Sequence, residues 1–386
     1  MAASNPGKLT LTDTVQYIRI GLVVTGLMLV TVLFFNFVLS ATNRMTQTEQ
    51  LHEEDVTPSV AVLQPDYAFG RLPGIVFPRQ SDPLPGTITA MMSDVQADNA
   101  STGWPIFGDR RMIEVYQLKP QAFSLSADQK ARDIARKLEF FSEPSIVDER
   151  TYLFRYPGPP LNENLQIDLK TMFMYLTTDY QSVQNLFGMT SYNGVHQIPD
   201  STAAIKAVRN YLDTAGILPE DLSDAAANVQ YVTNIGNSLQ PSLGALDADY
   251  VTVSLPRQGL EGRRDGEPTT YNFYGPNNYT SIYAVVGRDL DGQDVVVELE
   301  DVYYDLDTNN VGTYVLKPAA QAWQDLQNGQ AYIVNPRGVS NAMIRSVELG
   351  YYESHEEQEY LLPIYVFKGD NDFIAYVQGL DSSQLY

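Results

Sequence analysis

Cysteine is absent from all 386 residues of this chain. That removes disulfide staples, thiolate nucleophiles and Cys-ligated zinc or iron–sulfur sites, and leaves the fold to rest on its apolar core. Histidine is scarce: His52, His196 and His355 are the full set. The stretch "HEEQE" at 355–359 has Glu359 where a zinc-peptidase helix needs its second histidine, so it reads as a solvated connection between strands. Nothing near His196 supports a Ser-His-Asp site. The chain also lacks G-x-S-x-G, S-x-x-K, the Walker loop and G-x-G-x-x-G, which sets aside the common serine-nucleophile and nucleotide-binding chemistries. Positive charge is short too, with 25 Lys and Arg against 47 Asp and Glu and a net charge of −22. A nucleic-acid partner needs clustered cations to displace counterions, so none is expected.

Long apolar runs are equally rare, with one exception. Residues 20–39, "IGLVVTGLMLVTVLFFNFVL", carry no charge. Twenty residues at about 1.5 Å each span about 30 Å, the thickness of a bilayer's hydrocarbon core. Lys8 and Arg19 precede the run and Glu49, Glu53, Glu54 and Asp55 follow it, so the N-terminus is expected in the cytoplasm and residues after 41 outside. A cleaved signal peptide is the competing reading, although the run exceeds the usual apolar core of such leaders. A lone span argues against a pore.

The rest divides into four segments: a cytoplasmic tail and anchor at 1–41, a spacer and proline-rich extended arm at 42–110, a first helix-plus-sheet domain at 111–195, and a larger domain at 196–386. The fold class expected is α+β, with a single N-terminal transmembrane helix followed by repeated units of a short helix packed on an antiparallel β-sheet. Helix one opens at Ser126 with Gln129 three residues on, and Ala127, Ala131, Ile134 and Leu138 form its apolar stripe. Helix two follows Asp200 or Ser201 as cap, carries Ile205, Val208 and Leu212, and stops at Gly216. Helix three has Pro318 in its first turn and ends at Gly329. Tyrosine-rich strands come after each helix, at 151–156, 165–169 and 172–178, then 250–255, 281–288 and 295–305, then 343–352, 360–367 and 373–377.

Four features invite a functional reading. Asp305, Asp307 and Asn309 repeat the first ligand spacings of a calcium loop, but Asn310 replaces the loop's glycine and Leu316 its bidentate glutamate, so they are weak calcium candidates. Pro363 cannot donate to a strand ladder, which predicts that 360–367 is an edge strand or bulged. Tyrosine is plentiful, 25 against 15 Phe and 2 Trp. Tyr351, Tyr352, Tyr360 and Tyr365 beside Pro363 are therefore candidates for an amphipathic partner-contact surface. Forty-seven acids also leave room for the paired carboxylates of a hydrolase, with no local signature singling out a pair.

The stretches "AWQDLQNGQAYI" (322–333), "IRSVELGYY" (344–352) and "LLPIYVFKGD" (361–370) resemble the C-terminal module of PepSY-type and YycH/YycI-type extracytoplasmic proteins of bacteria, and the unit from 201 resembles the preceding repeat. The resemblance implies a membrane-anchored regulatory protein of the cell envelope. Its outer domains would bind another membrane or envelope protein, such as a sensor kinase or a peptidase, without cofactor or catalytic residues. A structural or adhesive surface protein, acting by self-association or glycan binding, is the alternative; an envelope hydrolase using paired carboxylates is the third.

Overall fold

Helix-forming periodicity and turn residues place the four α-helices found among the described residues of the computed structural model. It describes residues 65–79, 87–90, 112–119, 125–157, 161–180, 198–236, 238–264, 267–276, 281–289, 291–334 and 341–386. Helix α1 (Leu125–Lys137) starts one residue before the expected Ser126 and buries Ala127, Ala131, Ile134 and Ala135. Helix α2 (Ser201–Ala215) begins where the Asp200 carboxylate accepts the Ala203 N–H at 2.8 Å. It ends at Gly216, whose φ of 75° suits a residue without a Cβ. Its buried Val208 and Leu212 each contribute roughly 1.5–3 kcal/mol by leaving water. A short α3 (Glu220–Ser223) follows, and α4 (Ala319–Gln327) starts behind Pro318, which caps the helix instead of entering its first turn.

The first sheet is antiparallel throughout. Its order is β3 (Ser145–Ile146), β4 (Thr151–Pro157), β5 (Asn162–Asp168), β6 (Met174–Thr178), β13 (Asp294–Asp301), β12 (Ile282–Arg288), β9 (Tyr250–Leu255), β7 (Asn228–Asn234) and β8 (Leu239–Pro241). Helices α1 and α2 share one core against this sheet, with Phe154, Leu165, Met174, Val251, Val253 and Leu299 beneath them. The β6–β13 ladder pairs residues 174–177 with 298–301, so hydrogen bonding crosses the boundary expected at residue 195. The helix-and-strand units on either side of that boundary extend a single sheet.

The second sheet runs β1 (Thr87–Ala90), β16 (Asn341–Tyr352), β11 (Glu267–Tyr274), β10 (Leu260–Arg264), β2 (Met112–Leu118), β17 (Tyr360–Gly369), β18 (Ile374–Gln378) and β15 (Tyr332–Ile333), with β14 (Leu306–Val315) paired to β2. Two pairs, β1–β16 and β11–β16, are parallel, which departs from the antiparallel sheet expected. The pairings β16–β11, β11–β10, β10–β2, β2–β17 and β17–β16 return to their starting strand and close a ring. Helix α4 packs Ala322 and Leu326 against Ile344, Phe367 and Val377 on one side of this sheet. The stretch 65–79 lies along the second sheet: the Leu72 N–H donates to Gln384 O at 2.9 Å and the Tyr386 N–H to Leu72 O at 3.0 Å.

The architecture is thus α+β and mainly sheet. Residues 20–39 lie outside the described residues. Among those described, no helix is long and apolar enough to cross a membrane.

Candidate functional site

Residues from both sheets line a cleft of about 780 Å³. Helix α1 supplies Lys130 and Ile134, and the turn before β6 supplies Thr171 and Met172. The rest of the lining comes from Gly216 to Asp221, which abuts α1 at Gly216, from the stretch Arg257 to Glu261, from Phe273 of β11, and from Asp301, Tyr303 and Asp305 at the exit of β13.

Arg257 organises one wall. Its guanidinium donates to Glu353 Oε1 at 2.8 Å, Tyr304 O at 3.0 Å, Asp221 Oδ2 at 3.3 Å and the Tyr303 hydroxyl at 3.4 Å. The rings of Tyr303 and Phe273 lie 4.6 Å and 4.8 Å from its charge centre. The Arg257 and Glu353 side chains are only 6% and 1% exposed, so each charge depends on the other. Burial alone would lower the Arg257 pKa, but Glu353, Tyr303 and Asp221 outweigh it and hold it above its ordinary value. Burial pushes the Glu353 carboxyl up, against the pull of Arg257 and Ser281. Ser281 adopts φ 64°, an uncommon conformation for a residue with a side chain, and its hydroxyl donates to Glu353 Oε2 at 3.1 Å. The Tyr303 hydroxyl donates in turn to Asp221 Oδ1 at 3.0 Å.

Asp301 is a different kind of group. It is 7% exposed, lines the cleft, and accepts one hydrogen bond, from the Tyr303 N–H at 3.2 Å. It forms no ion pair among the described residues. Burial raises its pKa to about 7, with the Tyr303 N–H and the charge of Lys130 pulling the other way. A carboxyl with that value changes charge near neutrality, which sets it apart from acids held by cations.

The residues singled out from sequence fall elsewhere. Tyr351, Tyr352 and Tyr365 are 0%, 2% and 1% exposed, Pro363 is buried and Tyr360 half-buried, so the contact surface expected there is interior. The reason is chemical: each ring fills a core and most hydroxyls find a bond there, as Tyr351 donates to Glu114 O at 2.6 Å and Tyr365 to Lys317 O at 2.7 Å. Strand β17 is no edge. Pro363 sits opposite Tyr351 of β16, and on its other side β2 pairs with Tyr360 and Leu361 while β18 begins at Ile364. Proline is tolerated at that handover because neither ladder includes residue 363: its carbonyl accepts the Gly379 N–H at 2.9 Å, and no N–H is required of it.

The calcium candidates are not gathered into a site. The Asp305 carboxylate pairs with Lys119 at 2.7 Å, and Asp307 accepts the Asn309 N–H at 3.1 Å in a local turn. No group of three or more His, Asp or Glu among the described residues is placed to hold a metal ion. Sequence reasoning passed over Asp301, Arg257 and Glu353. One signal was legible: Asp301 follows Leu299 by two residues in a strand, the phase of the buried face, where an acid is out of place.

No protein-family model and no curated protein matches the chain. Among solved structures, an uncharacterized protein from Eubacterium rectale ATCC 33656 is similar at a TM-score of 0.31 and 12% identity, over 68% of this chain and 82% of that one.

Proposed function

We propose that the chain is a single-pass, membrane-anchored extracytoplasmic module that acts by protein–protein contact, with the inter-sheet cleft as its binding site. Residues 20–39 are the anchor and the described residues face outside. The observation that carries this reading is the locked wall: Asp221, Arg257, Tyr303 and Glu353 are engaged with one another, which makes a rigid, shaped surface and leaves few groups free for chemistry. The partner is another membrane or envelope protein, such as a sensor kinase or a peptidase. On this reading α1 with β4–β6, and α4 with β16–β18, each a helix followed by strands paired in chain order, correspond to the PepSY/YycI-type repeat. The test is a photo-cross-linking residue at Leu218 in the full-length chain in intact cells. One defined membrane protein should be captured, and Leu218→Arg should abolish capture. Adducts only between copies of the chain would favour a structural or adhesive role instead.

A second reading is supported by Asp301 alone. A carboxyl with a pKa of about 7 in a cleft suits a general acid, as in an envelope hydrolase. Its second carboxylate would have to come from Glu220 or Glu261 of the lining, because Asp221 and Asp305 are engaged by Arg257 and Lys119. Steady turnover of cell-wall glycan by residues 42–386, lost in Asp301→Asn, would establish it and displace the binding reading.

A further inference from the structure

Asp301 is a buried acid with no cation in ion-pair contact among the described residues. An ionised carboxylate offers about four acceptor positions. One is used here, by the Tyr303 N–H, and the side chain lines an open cleft. A carboxylate so placed is costly unless something positively charged meets it. The two cations in the cleft do not do so. Arg257 is held by Glu353 and Asp221, and Lys130, whose charge reaches Asp301, is exposed and makes no ion pair among the described residues. The remaining charged lining, Glu220, Glu261 and Asp305, is acidic. The apolar part of the lining includes Ile134, Met172, Ile217 and Leu218.

From this arrangement we infer that the cleft receives a lysine or arginine side chain presented by an extended peptide segment of the partner, with Asp301 as its counter-ion and the apolar strip packing its stem. The inference rests on the binding reading above and specifies its chemistry. Long basic side chains combine an apolar stem with a charged tip, which is the combination this cleft offers in reverse. A metal ion fits less well, since hard cations need several oxygen ligands and no such group is assembled here.

Protonation supplies the discriminating measurement. A cation gains affinity as Asp301 ionises, whereas a neutral ligand accepting a hydrogen bond from the protonated acid loses it. The groups near Asp301 are Lys130 from α1, Tyr175 from β6, whose pKa burial pushes up to about 12, and the acids and Arg257 that share the cleft lining. On the β12 side the neighbour is Ile282, which does not titrate. His355 lies 3.4 Å from Glu300 on the adjoining position of β13. Substituting Asp301 itself isolates its contribution.

The experiment is calorimetric titration of the full-length chain in detergent with acetyl-Ala-Leu-Lys-Leu-Ala-amide, its arginine and norleucine counterparts, and spermidine. The basic peptides should bind at least tenfold more tightly than the norleucine peptide, and their affinity should rise about tenfold from pH 6 to pH 8. Asp301→Asn should erase both differences, and Lys130→Gln should strengthen basic-peptide binding a few-fold. Equal binding of the norleucine peptide, or affinity that falls as pH rises, overturns the inference while leaving the binding reading intact. Spermidine binding as tightly as the peptides overturns the peptide assignment. Failure of every peptide overturns the inference, and the Leu218 cross-link then decides whether the cleft binds protein at all.

Discussion

At the scale of single residues, the interior is stabilised by polar groups that are buried together with their partners. Arg257 and Glu353 are the extreme case. Replacing Arg257 with Met leaves Glu353 enclosed without its counter-ion, and breaking a buried pair in this way costs about 3–5 kcal/mol. Denaturant melts should show a loss of that size for Arg257→Met and partial recovery when Glu353→Gln is added; equal stability of all three proteins would mean that the pair is idle. Asp301 gives a pH signature of opposite origin. Its folded-state pKa is raised, so the native state holds a proton that the unfolded chain releases, and stability falls as pH climbs from the ordinary carboxylate range through about 7. A shift of this kind corresponds to an upper limit of about 4 kcal/mol at 1.36 kcal/mol per unit. The melting temperature should therefore drop between pH 5 and pH 8 more in the native protein than in Asp301→Asn. Matching slopes would place Asp301 in water.

Elements show why some of the fold was legible and some was not. The three longer helices announce themselves because apolar residues recur every three or four positions and because Asp200 and Gly216 bracket α2 with cap chemistry. Strands such as 151–156 and 250–255, the second buried on both faces, carry enough apolar and β-branched side chains to be read. Strands β7 and β10 do not, since "NVQYVTN" and "LEGRR" are mostly half-exposed or polar and lack an apolar alternation. The same limit hid the site. The cleft assembles Lys130, Arg257 and Asp301 from distant segments, and no local spacing joins them. Nor does spacing reveal that β16 runs parallel to β11 with Gly350 opposite Asn272. There a Cβ on residue 350 would stand 2.7 Å from Asn272 O and press into the Tyr274 ring. Gly350→Ala should therefore destabilise the protein by about 1–3 kcal/mol through overpacking, measured by chemical denaturation, whereas Gly292→Ala, which meets open space at a positive φ, should cost less.

For the whole molecule the decisive feature is how strands from the two ends of the chain interleave. Segment 112–178 contributes β2 to the second sheet and β3–β6 to the first. Strand β2 pairs with β10, β14 and β17, and β6 pairs with β13. We propose on these grounds that 111–195 and 196–386 fold together. A fragment beginning at residue 196 would lack the strand joining β17, β10 and β14, and would expose the β13 edge with Leu299. Its remaining half of the first core, Val208, Leu212, Val251 and Val253, would be stripped of Phe154, Leu165 and Met174. Buried apolar area is the main term opposing conformational entropy, and removing one side of a shared core forfeits it on both sides. The fragment 196–386 should consequently show no cooperative thermal transition and should bind hydrophobic dye. Co-expression with 62–195 should restore a sharp melt, with the two pieces co-purifying. A fragment that melts sharply by itself, with the strand content of the intact chain, would instead establish 196–386 as an autonomous domain and make the β6–β13 ladder a docking contact between two finished folds.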